Sequence, residues 1–370
     1  MEKRKSLIFL FLAASFILVM LSMPLHIASA QAESQLHEPL VFPNNALSTG
    51  EETIWSCINF GHYPSAEVVR SGWDSVDSYA VRDGDVIRDD ELYTRLNEAE
   101  WTGDRLILDG QKYIRINRTD AVTAAPDREQ HYRWDDPDEW HYFAEQPIKW
   151  RILSLKDGKA LLLSDRVLDC FPFNLTDEEV NWQNSTVRSW LNGPGAEDDP
   201  SGRDHSGAED SFLSAAFTEN ERLSILRSDL QNSENHYFGT SCGPDTEDQV
   251  FLLSEDEIFS SPAALYYGFL DSDAAGDPAR RFAPTAYALG RGTWQSDNAG
   301  SEGNTFWLLR SNGFTASNVV YVGEMGHIYN RGIPVTCQDA GLVPAIRIDL
   351  ETAAYSYTGT ISSRDRISGR

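Results

Sequence analysis

The chain has 370 residues and a formal net charge of −26, from 57 acidic against 31 basic side chains. So acidic a surface repels phosphate backbones and anionic lipid, which sets nucleic-acid binding aside and leaves solubility as the plain reason for the acidity. At 41 % hydrophobic and 11 % aromatic the composition is globular, with enough apolar material to bury a sizeable core in one or two domains.

The N-terminus begins with the basic residues Lys3, Arg4 and Lys5. An apolar run from Leu7 to Leu25 follows, and then Ala28-Ser29-Ala30 at the offsets a signal peptidase needs. Residues 1–30 are read as a cleaved secretory signal, with an uncleaved anchor as the second reading. Removing a segment of net charge +2 (Lys3, Arg4 and Lys5 against Glu2) leaves −28 on the mature chain. Residues 31–53 are polar and form a leader. Order is expected from 54 to 350 as a single α+β domain, with an N-terminal part at 54–145 and a core at 146–350. No later run is apolar enough to span a bilayer, so no membrane contact is expected after cleavage.

"TIWSCINFGHYP" suggests a first strand closing into a Gly/Pro turn. "DDELYTRLNEAEW" puts acids first and Leu92, Leu96 and Ala99 at helical spacing, which predicts a helix. Asp109-Gly110 and Asp157-Gly158 each sit between apolar-rich runs, the strongest short-range hairpin cue, because both turn positions favour positive φ. The aromatic, acidic "HYRWDDPDEWHYFAEQP" between them reads as a loop or ragged edge strand. "ALLLSDRVL" and "VFLLSEDEI" both read as strand-to-helix junctions capped by Ser164 and Ser254, and Glu257 completes a capping box with Ser254.

"VNWQNSTVRSWLNG" (180–193) reads as a short strand through Val180 and Trp182, a cap at Ser185 or Thr186, and one or two helical turns ended by Gly193. "FLSAAFTENERLSIL" is helix material with Thr218 and Glu221 at capping-box spacing. The last third alternates short β-rich runs with Gly/Asn turns, and residues 351–370 read as a disordered tail.

The motifs that carry chemistry are few. "GTSCG" (239–243) matches a nucleophile elbow, but loop-type sequence flanks it on both sides, so accident is the better reading. Asp271, Asp273 and Gly276 hint at a calcium loop, but Ala275 and Phe282 stand where oxygen ligands belong. The histidines form no metal-ligating spacing, so no metal or cofactor is expected. Cys57, Cys170, Cys242 and Cys337 are too widely spaced for a zinc ribbon; export leaves three disulfide pairings open, with free thiols as the other reading. Trp150, Trp182, Arg188, Trp190 and Asn192 read first as structural, since large aromatics bury with the indole N–H paired and buried arginines tie carbonyls or acids. A ligand surface is best sought on loops, in "GRGTWQSDNAGSEGNTFW" with Trp294, Asp297 and Asn298 projecting, and beside it Trp307 and Arg310.

"INFGHYP", "PIKWRIL", "KALLLSDRVLDCFPFN", "WQNSTVRSWLNG", "FLSAAFTENE", "DQVFLLSEDEI", "PTAYALGRG", "WLLRSNG" and "GLVPAIRI" occur in that order. Together, over about residues 54–350, they resemble domain-of-unknown-function family 6273, found in exported proteins of Gram-positive bacteria. The resemblance implies export and a domain extent but no reaction. The C-terminal third also resembles the C-type-lectin-like architecture of sulfatase-modifying factors, through Trp307–Ser311, Val319–Tyr329 and Gly341–Ile348. Val343 stands where that pattern has an arginine, while Arg347 is in place. The formylglycine-generating chemistry of that group needs a cysteine pair near the C-terminus, and only Cys337 lies there.

The expectation is therefore an α+β, C-type-lectin-like fold of short twisted antiparallel sheets with a few flanking helices and long loops. Its expected function is that of a secreted or cell-surface binding module for a glycan or surface protein. An extracellular hydrolase-like enzyme built from distant carboxylates and a purely structural surface protein are the alternatives.

Overall fold

In the computed structural model the longest elements are two strands, β2 (Glu51–Val69) and β6 (His141–Lys156), paired antiparallel from Cys57↔Arg151 to Val68↔Tyr142. The structure describes residues 36–72, 84–122, 132, 134, 138–193, 211–259, 261–270 and 276–367. The described residues from Glu38 on form one compact unit, and the expected signal segment lies outside the described residues.

Around the spine of β2 and β6 stand β1 (Leu40–Pro43), β3 (Val86–Arg88), β4 (Arg105–Leu108), β5 (Gln111–Ile116) and β7 (Lys159–Ser164). Helix α1 (Asp90–Glu98) forms as the sequence predicts: Asp89 accepts the Leu92 amide, and Tyr93 and Leu96 turn inward. The two Asp-Gly hairpins close β4 on β5 and β6 on β7, with positive φ at Asp109 (52°), Gly110 (83°), Asp157 (51°) and Gly158 (72°).

Three expectations about this part are corrected. The supposed turn at Gly61–Pro64 is two irregularities inside one continuous strand, where the register shifts between Asn59 and His62 and again between Pro64 and Ala66. A Cβ at Gly61 (φ +70°) would lie 2.5 Å from the Phe217 ring, so glycine admits both the backbone and the packing. The segment from His141 to Pro147 is central strand, with Tyr142 and Phe143 fully buried; burial on both faces erases the alternation that marks a strand. The leader contributes β1, paired with Glu51–Ile54.

After β7 the chain does not enter a helix at Ser164, whose hydroxyl donates to the Arg166 carbonyl instead. It crosses into a second sheet through β8 (Asp169–Cys170). Helix α2 (Thr186–Asn192) is capped by Ser185 and stopped at Gly193 (φ +81°). Helices α3 (Phe212–Ala216) and α4 (Glu219–Ser224) form in the segment expected as helix material, with Thr218 and Glu221 forming the capping box of α4. Strands β9 (Ile225–Leu226), β10 (Ser228–Leu230), β11 (Thr246–Asp248) and β12 (Val250–Phe251) lead to α5 (Glu255–Ile258), where the Ser254/Glu257 box is also formed. Then come α6 (Pro262–Tyr266), α7 (Ala286–Arg291), β13 (Trp307–Asn312), β14 (Asn318–Val322), β15 (Ile328–Pro334), β16 (Gly341–Leu342), β17 (Ala345–Asp349) and β18 (Ser356–Ser362).

Among the described residues the large sheet has eleven strands, with β1-β2-β6-β7-β17-β12 as its main path. The small sheet runs β15-β14-β13-β16-β8, antiparallel except for β13 beside β16. The chain passes between the sheets twice in register: Leu342 pairs with Asp169 in the small sheet, and Ala345 pairs with Leu163 in the large one. Among the described residues the result is mixed α+β, mostly antiparallel with few helices, and no barrel.

The segment expected as a disordered tail is structured over its described residues, 351–367. Strand β18 pairs with Ile54–Asn59, and Arg366, fully buried, forms an ion pair with Asp165. Arg151 donates from Nε to the same carboxylate at 2.8 Å, its guanidinium lying 4.2 Å from the Phe282 ring centroid. Burial alone would raise the Asp165 pKa, but Arg366 and Arg151 outweigh it and hold the carboxyl well below the ordinary range. This contribution to stability is full above the unfolded carboxyl pKa of about 3.9 and is lost as pH falls through the depressed folded value. Asp165→Asn leaves two buried guanidiniums facing a neutral group and is expected to cost about 3–5 kcal/mol, read from urea midpoints at pH 7. Arg366→Met, which keeps one pair, is expected to cost less, and an unchanged midpoint in both variants would contradict the assignment.

Candidate functional site

Strand alternation builds the site. In β14, Tyr321 lies between the fully buried Val320 and Val322, so its ring points to the opposite, solvent side. Tyr329 on β15 is its direct cross-strand partner, and the two rings stack with centroids 4.6 Å apart and planes within 2°. One face of Tyr329 is thus covered, and 44 % of the residue is exposed. Phe306, just before β13, turns away from its buried neighbour Trp307 and meets the Tyr321 ring edge-on at 5.7 Å. Trp294 completes the row at 5.9 Å from Phe306. It is set there by the end of α7 at Gly292 and by its own N–H donating to the Asp339 carbonyl at 3.1 Å. Four half-buried or exposed rings therefore run in one row across the small sheet.

The surroundings of the row are polar and acidic. The Cys337 thiol donates to Asp339 Oδ1 at 3.0 Å. Burial first, then the neighbouring Tyr329, Glu324 and Cys337, push the Tyr321 hydroxyl up to about 12, so it stays a hydrogen-bond donor at neutral pH. Asp297 and Asn298 are exposed in the loop after Trp294, a turn pinned by Ser296 N–H to Asn304 O at 2.8 Å and by Asn298 N–H to Ser296 Oγ at 3.2 Å.

Of the residues singled out as ligand-facing, the structure brings Trp294, Asp297 and Asn298 to the surface and buries the other two. Trp307 is fully enclosed, its indole N–H donating to the Arg280 carbonyl at 3.0 Å. Arg310 is equally buried, paired with Glu257 and donating to the carbonyls of Leu252 and Gln231. Alternation sends Trp307 inward when Phe306 points outward, and Arg310 is enclosed by the Leu252 and Gln231 carbonyls it donates to.

The remaining set holds the fold. Trp150 donates to the Phe60 carbonyl at 2.7 Å. Trp182 donates to Asp248 Oδ2 at 2.9 Å and Arg188 to Oδ1 at 2.7 Å, so one buried carboxylate anchors both. Trp182 sits on a 3-10 turn (Trp182–Asn184), not on the expected strand. The side chain of Asn192 donates to Val250 O and accepts from Gln249 and Val250 N–H, standing in for a strand beside β12. Trp190 is half-buried and stacked on Phe171 at 5.1 Å.

Nucleophilic and metal chemistry find little support. Ser241 lies in irregular backbone on both sides. Burial raises the thiol pKa of Cys57, to about 12, and also those of Cys170 and Cys242, and no disulfide joins these three. Among the described residues no three His, Cys, Asp or Glu side chains are grouped to hold a metal. Most of the suspected calcium loop, at 271–275, lies outside the described residues. Among the described residues no helix is long and apolar enough to cross a membrane.

Sequence reading missed Phe306, Tyr321 and Tyr329. A usable cue was present: in "NVVYV" and "HIYNRG" each tyrosine sits where a buried strand alternates outward. What sequence could not supply is the pairing register that stacks one on the other.

Fold and site together define, among the described residues, an α+β protein of an eleven-stranded and a five-stranded sheet with a separate β10–β11 pair, the five-stranded sheet carrying the aromatic row. The model of a domain of unknown function, DUF6273, matches residues 157–350, and the chain belongs to that family. No curated protein and no solved structure matches the chain.

Gly323 supports the row directly. A Cβ there would come 2.6 Å from Tyr329 Cε2, so the tyrosine ring lies against bare backbone. Gly323→Ala is expected to push the Tyr329 ring off Tyr321 while shifting stability by less than about 1 kcal/mol, since the displaced group is a movable surface side chain. Aromatic NMR shifts of the two tyrosines measure this, and unchanged ring-current shifts would contradict the packing.

Proposed function

We propose that this chain is an exported, non-catalytic binding protein, lectin-like in its C-terminal part, that holds a glycan along Trp294, Phe306, Tyr321 and Tyr329. The observation that carries this reading is the row of four partly exposed rings at 4.6–5.9 Å spacing. Sugar rings offer C–H faces that pack on aromatic faces and rim hydroxyls that need hydrogen-bond partners. Tyrosine and tryptophan supply both an apolar body and a polar tip. Rings needed only for the core would be enclosed, as Trp150 and Trp307 are. Export is supported by the basic start, the apolar run and the Ala28-Ser29-Ala30 site.

A surface protein in place of the glycan is the second reading. Tyr237, Phe238 and Phe314, between 40 % and 55 % exposed, favour it, with Phe314 carrying the Arg331 guanidinium at 4.7 Å. This is the aromatic and arginine composition of protein interfaces.

Titration of the purified chain against a panel of neutral, acidic and amino oligosaccharides separates the two. Trp294→Ala and Tyr329→Ala are each expected to weaken glycan binding about tenfold or more, equivalent to roughly 1.4 kcal/mol, without moving the unfolding midpoint. Silence across the whole panel would overturn the glycan reading.

A further inference from the structure

We infer that the glycan strip does not end at Tyr329 but turns over the edge of the small sheet onto Arg331, Phe314 and Phe238, and that its ligand is a chain of several sugar units. The inference rests on the aromatic row being a glycan site and adds the extent of that site and the length of chain it takes.

Strand β15 carries the strip across. It is an edge strand of the small sheet, and Tyr329 and Arg331 are both exposed on it. Asn330 between them turns the other way and donates to the buried Glu255, so Tyr329 and Arg331 share the outer side. The Arg331 guanidinium lies over the Phe314 ring at 4.7 Å, and Phe238 meets that ring edge-on at 5.1 Å. Guanidinium and rings therefore continue the row past the end of the sheet.

The far end of the strip is built, not merely exposed. Asn235, itself buried, accepts the Tyr237 and Phe238 amides at 3.0 and 3.1 Å and donates to the carbonyls of Asn312 and Asn330 at 2.8 and 3.1 Å. One side chain thus ties the turn at 235–240 to both β13 and β15. The turn closes on itself through Asn235 N–H to Thr240 O at 2.9 Å, and the Thr240 hydroxyl donates to Phe314 O at 3.0 Å. A buried amide with all its hydrogen bonds made fixes one shape, so Phe238 and Phe314 meet solvent already in place and a ligand need not order them. Arg331 sets N–H donors between two groups of rings, which matches the alternation of C–H face and hydroxyl rim along a sugar chain. Continuity with the row is what assigns these residues to the same ligand.

The test uses the full mature chain and four series of 1,4-linked chains, of glucose, N-acetylglucosamine, glucosamine and galacturonate, each at two, four and six units. In the series that binds most tightly, calorimetric titration is expected to show affinity rising about tenfold from two units to six. Phe238→Ala and Phe314→Ala are each expected to remove most of that gain and leave the two-unit affinity in place, whereas Tyr329→Ala weakens binding at every length. Asn235→Ala, which releases the turn and removes no ring, is expected to act as Phe238→Ala does. Affinity that does not rise with length, or a rise that both phenylalanine variants leave intact, overturns the extension and leaves the row standing. No binding by any chain of the four series overturns row and extension together.

Discussion

One carboxylate, Asp165, lies between two buried guanidiniums, Arg151 from β6 and Arg366 from the C-terminal segment. Taking three charges out of water is unfavourable, and it is offset only when geometry is tight and neighbouring carbonyls take up the remaining donors. Arg151 also donates to Ala279 O and Arg366 to the Asp165 carbonyl, while Arg151 Nη2 and Arg366 Nε are buried without a hydrogen-bond partner among the described residues, so the offset is partial. The cluster therefore ties the central strand, the exit from β7, the segment before α7 and the chain end to one point. It acts with the pairing of β18 on β2 to hold the segment up to residue 367, because a buried Arg366 with no acid beneath it would not stay buried.

The family match begins at residue 157, on the hairpin between β6 and β7. Its first strand, β7, is paired on one side with β17 and on the other with β6. The partners supplied by residues before 157 are thus part of the same sheet. Cut at the matched boundary, β7 would expose a long apolar edge (Ala160–Leu163 is fully buried), and open edges of that kind invite aggregation. The earlier half of the chain covers that edge, and the small sheet at the far end of the fold is left with an outer face to present.

Aromatic residues serve two purposes here, and burial separates them. Trp150, Trp182 and Trp307 are fully enclosed, each with its indole N–H paired to a carbonyl or carboxylate of a segment distant in sequence. Trp294, Phe306, Tyr321 and Tyr329 occupy the other side of the small sheet and keep part of their surface in water. Composition does not distinguish the two groups; the direction of each Cβ from the pleat does.

The sequence by itself determined the local elements whose causes lie within a few residues. The two Asp-Gly turns, the capping boxes at Thr218 and Ser254, and the helix after Ser185 all form where short-range chemistry places them. It also determined that Trp150, Trp182 and Arg188 are the kind of side chain that buries with its polar end satisfied. Only the tertiary structure decided the rest. The aromatic acidic segment before residue 147 became a central strand, the tail became β18, and Ser164 ended a strand without starting a helix. It also turned Trp307 inward while setting Tyr321 against Tyr329. Each of these depends on partners tens to hundreds of residues away, such as Asp165 with Arg366, and on strand register, where a slip of one residue reverses every side chain. Local pattern carries no information about either.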